Sequence, residues 1–135
     1  GVTRGTGRAE VVRAVLEGVA QRGADLVTAA ETDGDTAIGS LRVDGGMSAN
    51  QTFIQALANA AQRPVEVSPV AEATTLGAAF LAGLAIDTWA GWSDIAATWV
   101  PRDTVEPTEH LDRERWAEAV KRAQSWYPGL SGLDF

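Results

Sequence analysis

The sequence predicts an α/β fold, and three observations carry that prediction. A short apolar alternation, Leu41-Arg42-Val43, passes through Asp44 and a glycine pair directly into a helical pattern. A second alternation, Val65-Glu66-Val67, follows that helix and is bounded by Pro64 and Pro69. A long amphipathic helix stands ahead of both strands and a strongly apolar one behind them, so strands and helices take turns along the chain.

The opening stretch, Gly1-Val2-Thr3-Arg4-Gly5-Thr6-Gly7, reads as a turn leading into a helix. Its glycines would suit a phosphate cradle, but no strand precedes them in this chain. From Arg8 to about Ala30 the helix carries an apolar stripe of Val12, Leu16, Val19 and Leu26. Glu10 with Arg13, and Arg13 with Glu17, are spaced for helix-surface pairs worth about 0.2–0.5 kcal/mol each. Gly18 and Gly23 lower helix propensity, which implies a partner packed close to them. Glu31 to Gly39 is polar and rich in Asp and Gly, the segment expected to be most flexible.

The centre of the chain is Leu41-Arg42-Val43-Asp44-Gly45-Gly46-Met47-Ser48-Ala49-Asn50. Ser48 with Gln51 three positions on forms a capping box, which starts the next helix at Ala49. Asn50 then falls in the first turn, off the cap, with its amide free to face something outside. Phe53, Ile54, Leu57 and Ala60 or Ala61 share one face of that helix. Gly45 and Gly46 permit unusual torsions and a close approach by a flat or charged ligand. Exposed N–H groups at the helix start favour negative charge. A nucleotide suits this geometry. A strand–Gly-Gly–helix junction is equally a common way to turn a chain, so spacing alone leaves both readings open. The pattern is neither G-x-G-x-x-G nor a P-loop, and the only lysine, Lys121, lies far away.

Beyond the second strand, Ala71 to about Trp89 reads as a core helix, apolar on nearly every side and capped by Thr74 or Thr75. Gly77, Ala78, Ala79, Ala82 and Gly83 keep its surface thin, so close contact with a sheet or another helix is expected. A short helical turn near Ser93 and an extended piece around Val105 follow. Asp112 caps a last helix with Trp116, Val120, Ala123 and Tyr127 on one stripe, ended by Pro128-Gly129. Trp126 and the tail from Leu130 to Phe135 are apolar enough to dock on a partner domain.

Composition removes several classes. The chain has 135 residues, enough for one domain with a real core, and a net charge of −7 that argues against a nucleic-acid backbone binder. Scattered acidic residues read as solvated surface. With no cysteine, disulfide frameworks and thiolate metal sites are excluded. His110, the single histidine, reads as a surface residue ahead of the last helix. No secretory signal is visible, and the longest apolar run, Leu76 to Ile86, falls short of the ~20 residues a membrane span needs. Five tryptophans in a small acidic chain suggest a surface buried in a larger whole. A start at Gly1, without an initiator Met, points to an excised part of a longer protein.

Three blocks then resemble one family. The Leu41–Asn50 segment is similar to the adenosine motif of the actin-like ATPases. Gly1-Val2 followed by Glu10-Val11-Val12-Arg13-Ala14-Val15-Leu16-Glu17 resembles the second signature of the FGGY carbohydrate kinases. Glu72-Ala73-Thr74-Thr75-Leu76-Gly77-Ala78-Ala79-Phe80-Leu81-Ala82-Gly83-Leu84 is similar to the helix that follows in those enzymes. The blocks occur in family order over roughly the first ninety residues, and the likeness is greatest to the glycerol kinases.

The resemblance implies an actin-like ATPase domain of ribonuclease H-like type, incomplete at its N-terminal side, with residues 1–135 as the latter portion of the FGGY nucleotide-binding domain. It implies that Gly46 and Asn50 contact the adenine nucleotide and that Gly45 is the motif's other glycine. It implies ATP with Mg2+, and glycerol or a related polyol held mainly by an absent N-terminal domain, which would also supply the catalytic aspartate. The chain alone would then be inactive. A cytoplasmic enzyme without nucleic-acid partners follows from the same likeness, with homo-oligomerisation left open. Glu10 stands where glycerol kinases commonly have His, and Met47-Ser48 replaces smaller or apolar residues. These departures keep a second FGGY kinase, acting on xylulose or gluconate, in view beside a non-catalytic actin-like binding module.

Overall fold

A computed structural model describes residues 1–124 of the chain. The elements run α1 (Arg8–Gly34), β1 (Leu41–Val43), a 3-10 turn (Gly46–Ala49), α2 (Gln51–Ala61), β2 (Val65–Val67), α3 (Ala73–Ala85), α4 (Trp92–Ala97), β3 (Asp103–Val105) and α5 (Arg113–Ala123). The strands form one sheet in the order β1-β2-β3. β1 and β2 are parallel, joined through α2, with Leu41 opposite Val65 and Val43 opposite Val67. β3 closes the sheet antiparallel to β2, setting Val65 against Val105.

Period-2 alternation gives the sheet two unlike faces. Leu41, Val43, Val65, Val67 and Val105 turn towards the core, whose fully buried large side chains are Ile54, Val65 and Val67. The opposite face carries Arg42 paired to Glu66 at 2.9 Å, with the Arg42 guanidinium 4.8 Å from the centre of the Trp99 ring. Helix α2 is buried at Ile54, Ala56, Leu57, Ala58, Asn59, Ala60 and Ala61, because the sheet covers one side and α1 the other. Gly23 permits that second contact: a Cβ there would stand 3.0 Å from Leu57 Cδ1. The close partner expected at Gly23 is therefore α2, while the Trp116 ring lies 3.9 Å from a Cβ built at Gly18.

The structure corrects several sequence expectations. In α1 the buried positions are Ala20, Gln21 and Ala24, whereas Val12, Val19 and Leu26 are exposed. Small residues let two helix backbones approach closely, and that contact displaces the larger Val/Leu stripe to the outside. Glu10 does not pair with Arg13; its carboxylate accepts from the Gly7 N–H at 2.9 Å as part of the helix cap. The Glu31–Gly39 segment is not a free loop. α1 continues through Gly34, and Glu31 then accepts from Ile38 N at 2.8 Å and from Arg63 Nη2 at 2.6 Å. The Ile38 N–H, helped by Arg63 against some burial, holds the Glu31 carboxyl below its ordinary pKa.

Helix α3 departs most. It starts at Ala73 after Glu72, without the Thr74 or Thr75 cap, and Gly83 is its one buried residue. Leu81 is 58% exposed and Ile86 76%. The described residues supply no surface for this helix to bury against, so its apolar character goes unused here. Its clearest contact is with its own continuation: Trp89 folds back edge-on to Phe80 with ring centres 5.3 Å apart, and a Cβ at Gly83 would run into the Trp89 ring.

The last helix docks by polar contacts. Asp112 caps α5 through Arg115 N at 2.8 Å, as the sequence implied. Trp116 Nε1 then donates to Asp25 Oδ2 at 3.0 Å, and Arg113 donates to Asp25 Oδ1 and to the Gln21 carbonyl. Burial alone would raise the Asp25 carboxyl, but the Trp116 and Arg113 hydrogen bonds outweigh it and its pKa is lowered. The helix stop at Pro128-Gly129, with Trp126, Tyr127 and the apolar tail, lies outside the described residues.

Candidate functional site

Where β1 ends, the chain must leave the sheet and enter α2 within a few residues. Gly45 makes that possible with φ 81° and ψ −178°, a conformation from which a side chain is effectively barred. The following residues close into the 3-10 turn. Ser48 N and Ser48 Oγ both donate to the Gly45 carbonyl, at 3.1 and 2.7 Å. Gly45 N donates to the Ala71 carbonyl at 3.2 Å, tying the turn to the loop ahead of α3.

Asn50, not Ser48, caps α2. Its Oδ1 accepts from Phe53 N at 3.1 Å, and α2 begins at Gln51. The expected Ser48/Gln51 capping box is not formed, because the 3-10 turn takes up Ser48, which is 4% exposed. The correction leaves half of the Asn50 amide available. No donor bond from Nδ2 exists among the described residues, and the side chain is exposed.

Gly46 differs from its neighbour. It has no positive φ, and a Cβ built on it would meet no atom within 4 Å. Gly45 must be glycine for the backbone's sake. Gly46 has no such internal reason, so its missing side chain keeps an outer surface clear. Gly45, Gly46 and Asn50 thus share one short turn at the end of β1, as the sequence implied, on an open face and not in an enclosed cavity.

A groove of about 420 Å3 lies elsewhere, between α1, α2 and the segment before α5, lined in part by Arg13, Glu17, Gln55, Asn59 and Glu109. Several of its polar groups are occupied with one another. Asn59, 2% exposed, accepts from Thr108 N at 2.8 Å, and Gln55 and Gln62 donate to the carbonyls of Glu106 and Glu109. These amides pin the segment beneath α5 and carry no sign of chemistry.

Comparison with known proteins decides the family. The model of the FGGY family of carbohydrate kinases, C-terminal domain, matches residues 1–86. The chain belongs to the FGGY carbohydrate kinases. Among relatives of this FGGY chain, the glycerol kinase of Aromatoleum aromaticum is 42% identical over 131 residues, which is 93% of this chain and 26% of that protein. The chain therefore spans about a quarter of the relative's length. A crystal structure of Plasmodium falciparum glycerol kinase with ADP superposes with a TM-score of 0.78 at 32% identity, over 94% of this chain and 26% of that one. A ligand-bound xylulose kinase from Lactobacillus acidophilus, at 20% identity and a TM-score of 0.76, shares the fold over 96% of this chain and 28% of its own. The three-stranded mixed sheet with its helices is thus part of an actin-like ATPase fold.

Two partners of the glycine turn in this FGGY chain escaped the sequence reading. The Ala71 carbonyl carries no sequence signal, because any residue supplies one. Arg102, whose Nη2 donates to the Ser48 carbonyl at 3.2 Å, sits 54 positions further along the chain. Only the pairing of β3 with β2 brings it there. The Asn50 cap, by contrast, was open to recognition from Asn being a preferred N-cap residue.

Proposed function

We propose that this chain holds the nucleoside end of ATP in a glycerol kinase, an enzyme that transfers the γ-phosphoryl group of ATP to a polyol hydroxyl. In this reading Gly45 sets the turn, and Gly46 offers a bare backbone on which base and ribose rest. Asn50 keeps its Oδ1 on the helix cap and donates from Nδ2 to a polar edge of the nucleoside. Residues 1–135 would form the latter part of the nucleotide-binding domain of a cytoplasmic enzyme, with the polyol and the catalytic base on the remaining domain.

The observation that carries the reading is Gly46: an exposed glycine with ordinary torsion and empty space above it, beside an amide with an unused donor. The likeness to glycerol kinases across 93% of the chain supports glycerol over xylulose as the polyol. Catalysis in such an enzyme is chiefly positioning and charge stabilisation, and a firm grip on the nucleoside supplies remote binding energy for it. Magnesium would ride on the nucleotide phosphates. No group of three or more His, Cys, Asp or Glu that could hold a metal occurs among the described residues. No helix among them is long and apolar enough to cross a membrane.

The test uses the full-length protein and a panel of polyols. Glycerol should be phosphorylated in preference to xylulose and gluconate. Gly46→Val and Asn50→Ala should each raise KM for ATP while leaving KM for the polyol nearly constant. An unchanged KM for ATP in both variants would overturn the assignment.

A further inference from the structure

We propose that Arg102 is a positioning residue for the nucleotide turn, holding the Ser48 carbonyl so that Gly46 and Asn50 keep their relative placement. This inference rests on the reading of the turn given above. The geometry begins with the end of the 3-10 turn. Its ladder finishes with Asn50 N donating to the Met47 carbonyl at 3.0 Å, so the Ser48 carbonyl lies past the last intrahelical donor. Ser48 itself is buried, which removes water as an easy substitute. The Arg102 guanidinium reaches that carbonyl at 3.2 Å.

Arg102 is well placed to act as a fixed post. Its backbone N–H donates to the Val67 carbonyl at 2.8 Å, which anchors it beside the buried end of β2, where β3 begins. The turn is otherwise held by Ala71 on one side and by its own Ser48–Gly45 bonds. Without Arg102 the carbonyl of the peptide between Ser48 and Ala49 loses its donor, and that peptide lies between the glycine that clears the surface and the amide that donates. A charged donor on a neutral carbonyl is among the stronger kinds of hydrogen bond.

The experiment compares Arg102→Met, Arg102→Lys and Gly46→Val in the full-length enzyme. Arg102→Met keeps the stem of the side chain and removes the donor. It should weaken ADP binding, measured by calorimetry, and raise KM for ATP about fivefold, equivalent to about 1 kcal/mol. KM for the polyol, kcat and the thermal midpoint should stay near those of the parent. Arg102→Lys should recover part of the loss. If Gly46→Val weakens nucleotide binding and Arg102→Met does not, the positioning role is wrong and the turn's assignment survives. If neither variant changes nucleotide binding, the assignment falls and the positioning role falls with it. A uniform loss in kcat, both KM values and the thermal midpoint would mark Arg102 as merely structural and overturn the proposal.

Discussion

Helices α2 and α3 are both apolar and both rich in alanine, yet they end in opposite situations. α2 is enclosed between the sheet and α1, with Ile54 and Ala58 at zero exposure. α3 stands with Leu81 more than half exposed and only Gly83 buried. The contrast teaches that an apolar pattern reports a capacity to be buried, whereas burial itself needs a partner surface. α2 has one because β1 and β2 are parallel neighbours, which forces their connection across the sheet face. The difference can be broken by mutation in this 135-residue chain. Ile54→Ala should destabilise it by about 2–5 kcal/mol, the range for emptying a packed core site. Leu81→Ala should change stability by about 0.5 kcal/mol or less, as exposed positions do. Equal shifts in urea midpoint for the two variants would mean that α3 finds a packed environment in solution.

A second contrast lies within α2 itself, between apolar burial and the buried amide of Asn59. Asn59→Ala removes the acceptor for Thr108 N and leaves that N–H unpaired, a loss of about 1–3 kcal/mol. Amide exchange at Thr108 and Glu109 should accelerate more than exchange in β1 and β2. Next in size is the start of the helix. Gly45→Ala forces a side chain into φ 81°, at about 1–3 kcal/mol, although no atom stands in the way of its Cβ. Gly46→Ala should cost less than Gly45→Ala, because its torsion suits any residue. Thermal midpoints for the pair would measure this difference, and a larger loss at Gly46 would contradict it.

Much of this fold was legible in the sequence because local signals and tertiary needs agreed. Leu41-Arg42-Val43 and Val65-Glu66-Val67 alternate as half-buried strands do, and both are strands with the predicted bounds. Asp112 reads as a cap and is one. The glycine pair and Asn50 share one turn, as their spacing implies, although their different geometries were not legible. Gly45 takes a positive φ and Gly46 an ordinary one with open space beside it, a difference that two identical letters cannot carry. What failed depended on contacts at a distance. The α1 stripe was misread because Val and Leu outrank Ala in any hydrophobic count, while close helix packing selects Ala20, Gly23 and Ala24. The α3 reading failed for the reverse reason, an apolar helix without a partner among the described residues. Arg102 carries no sequence signal of its own and Glu31 falls in a segment expected to be flexible; only the strand pairing and the long α1 bring their partners to them.

The smallest effect expected concerns how α1 holds its two polar neighbours, in contrast to the apolar grip between α1 and α2. Asp25 receives Trp116 and Arg113 from α5, and Glu31 receives Ile38 and Arg63. Both carboxyls titrate below their ordinary values of 3.8 and 4.5. A depressed folded-state pKa means that the unfolded chain binds protons first as pH falls. The stabilisation is therefore complete above the ordinary values and is lost on acidification through the folded-state ones. Urea midpoints should hold steady from pH 7 to about 5 and then decline. Asp25→Asn, which cannot ionise, should lower the plateau slightly and shallow the acid limb, while Ile54→Ala lowers the whole curve without changing its shape. An acid limb as steep in Asp25→Asn as in the parent would show that α5 is held by something other than this carboxylate.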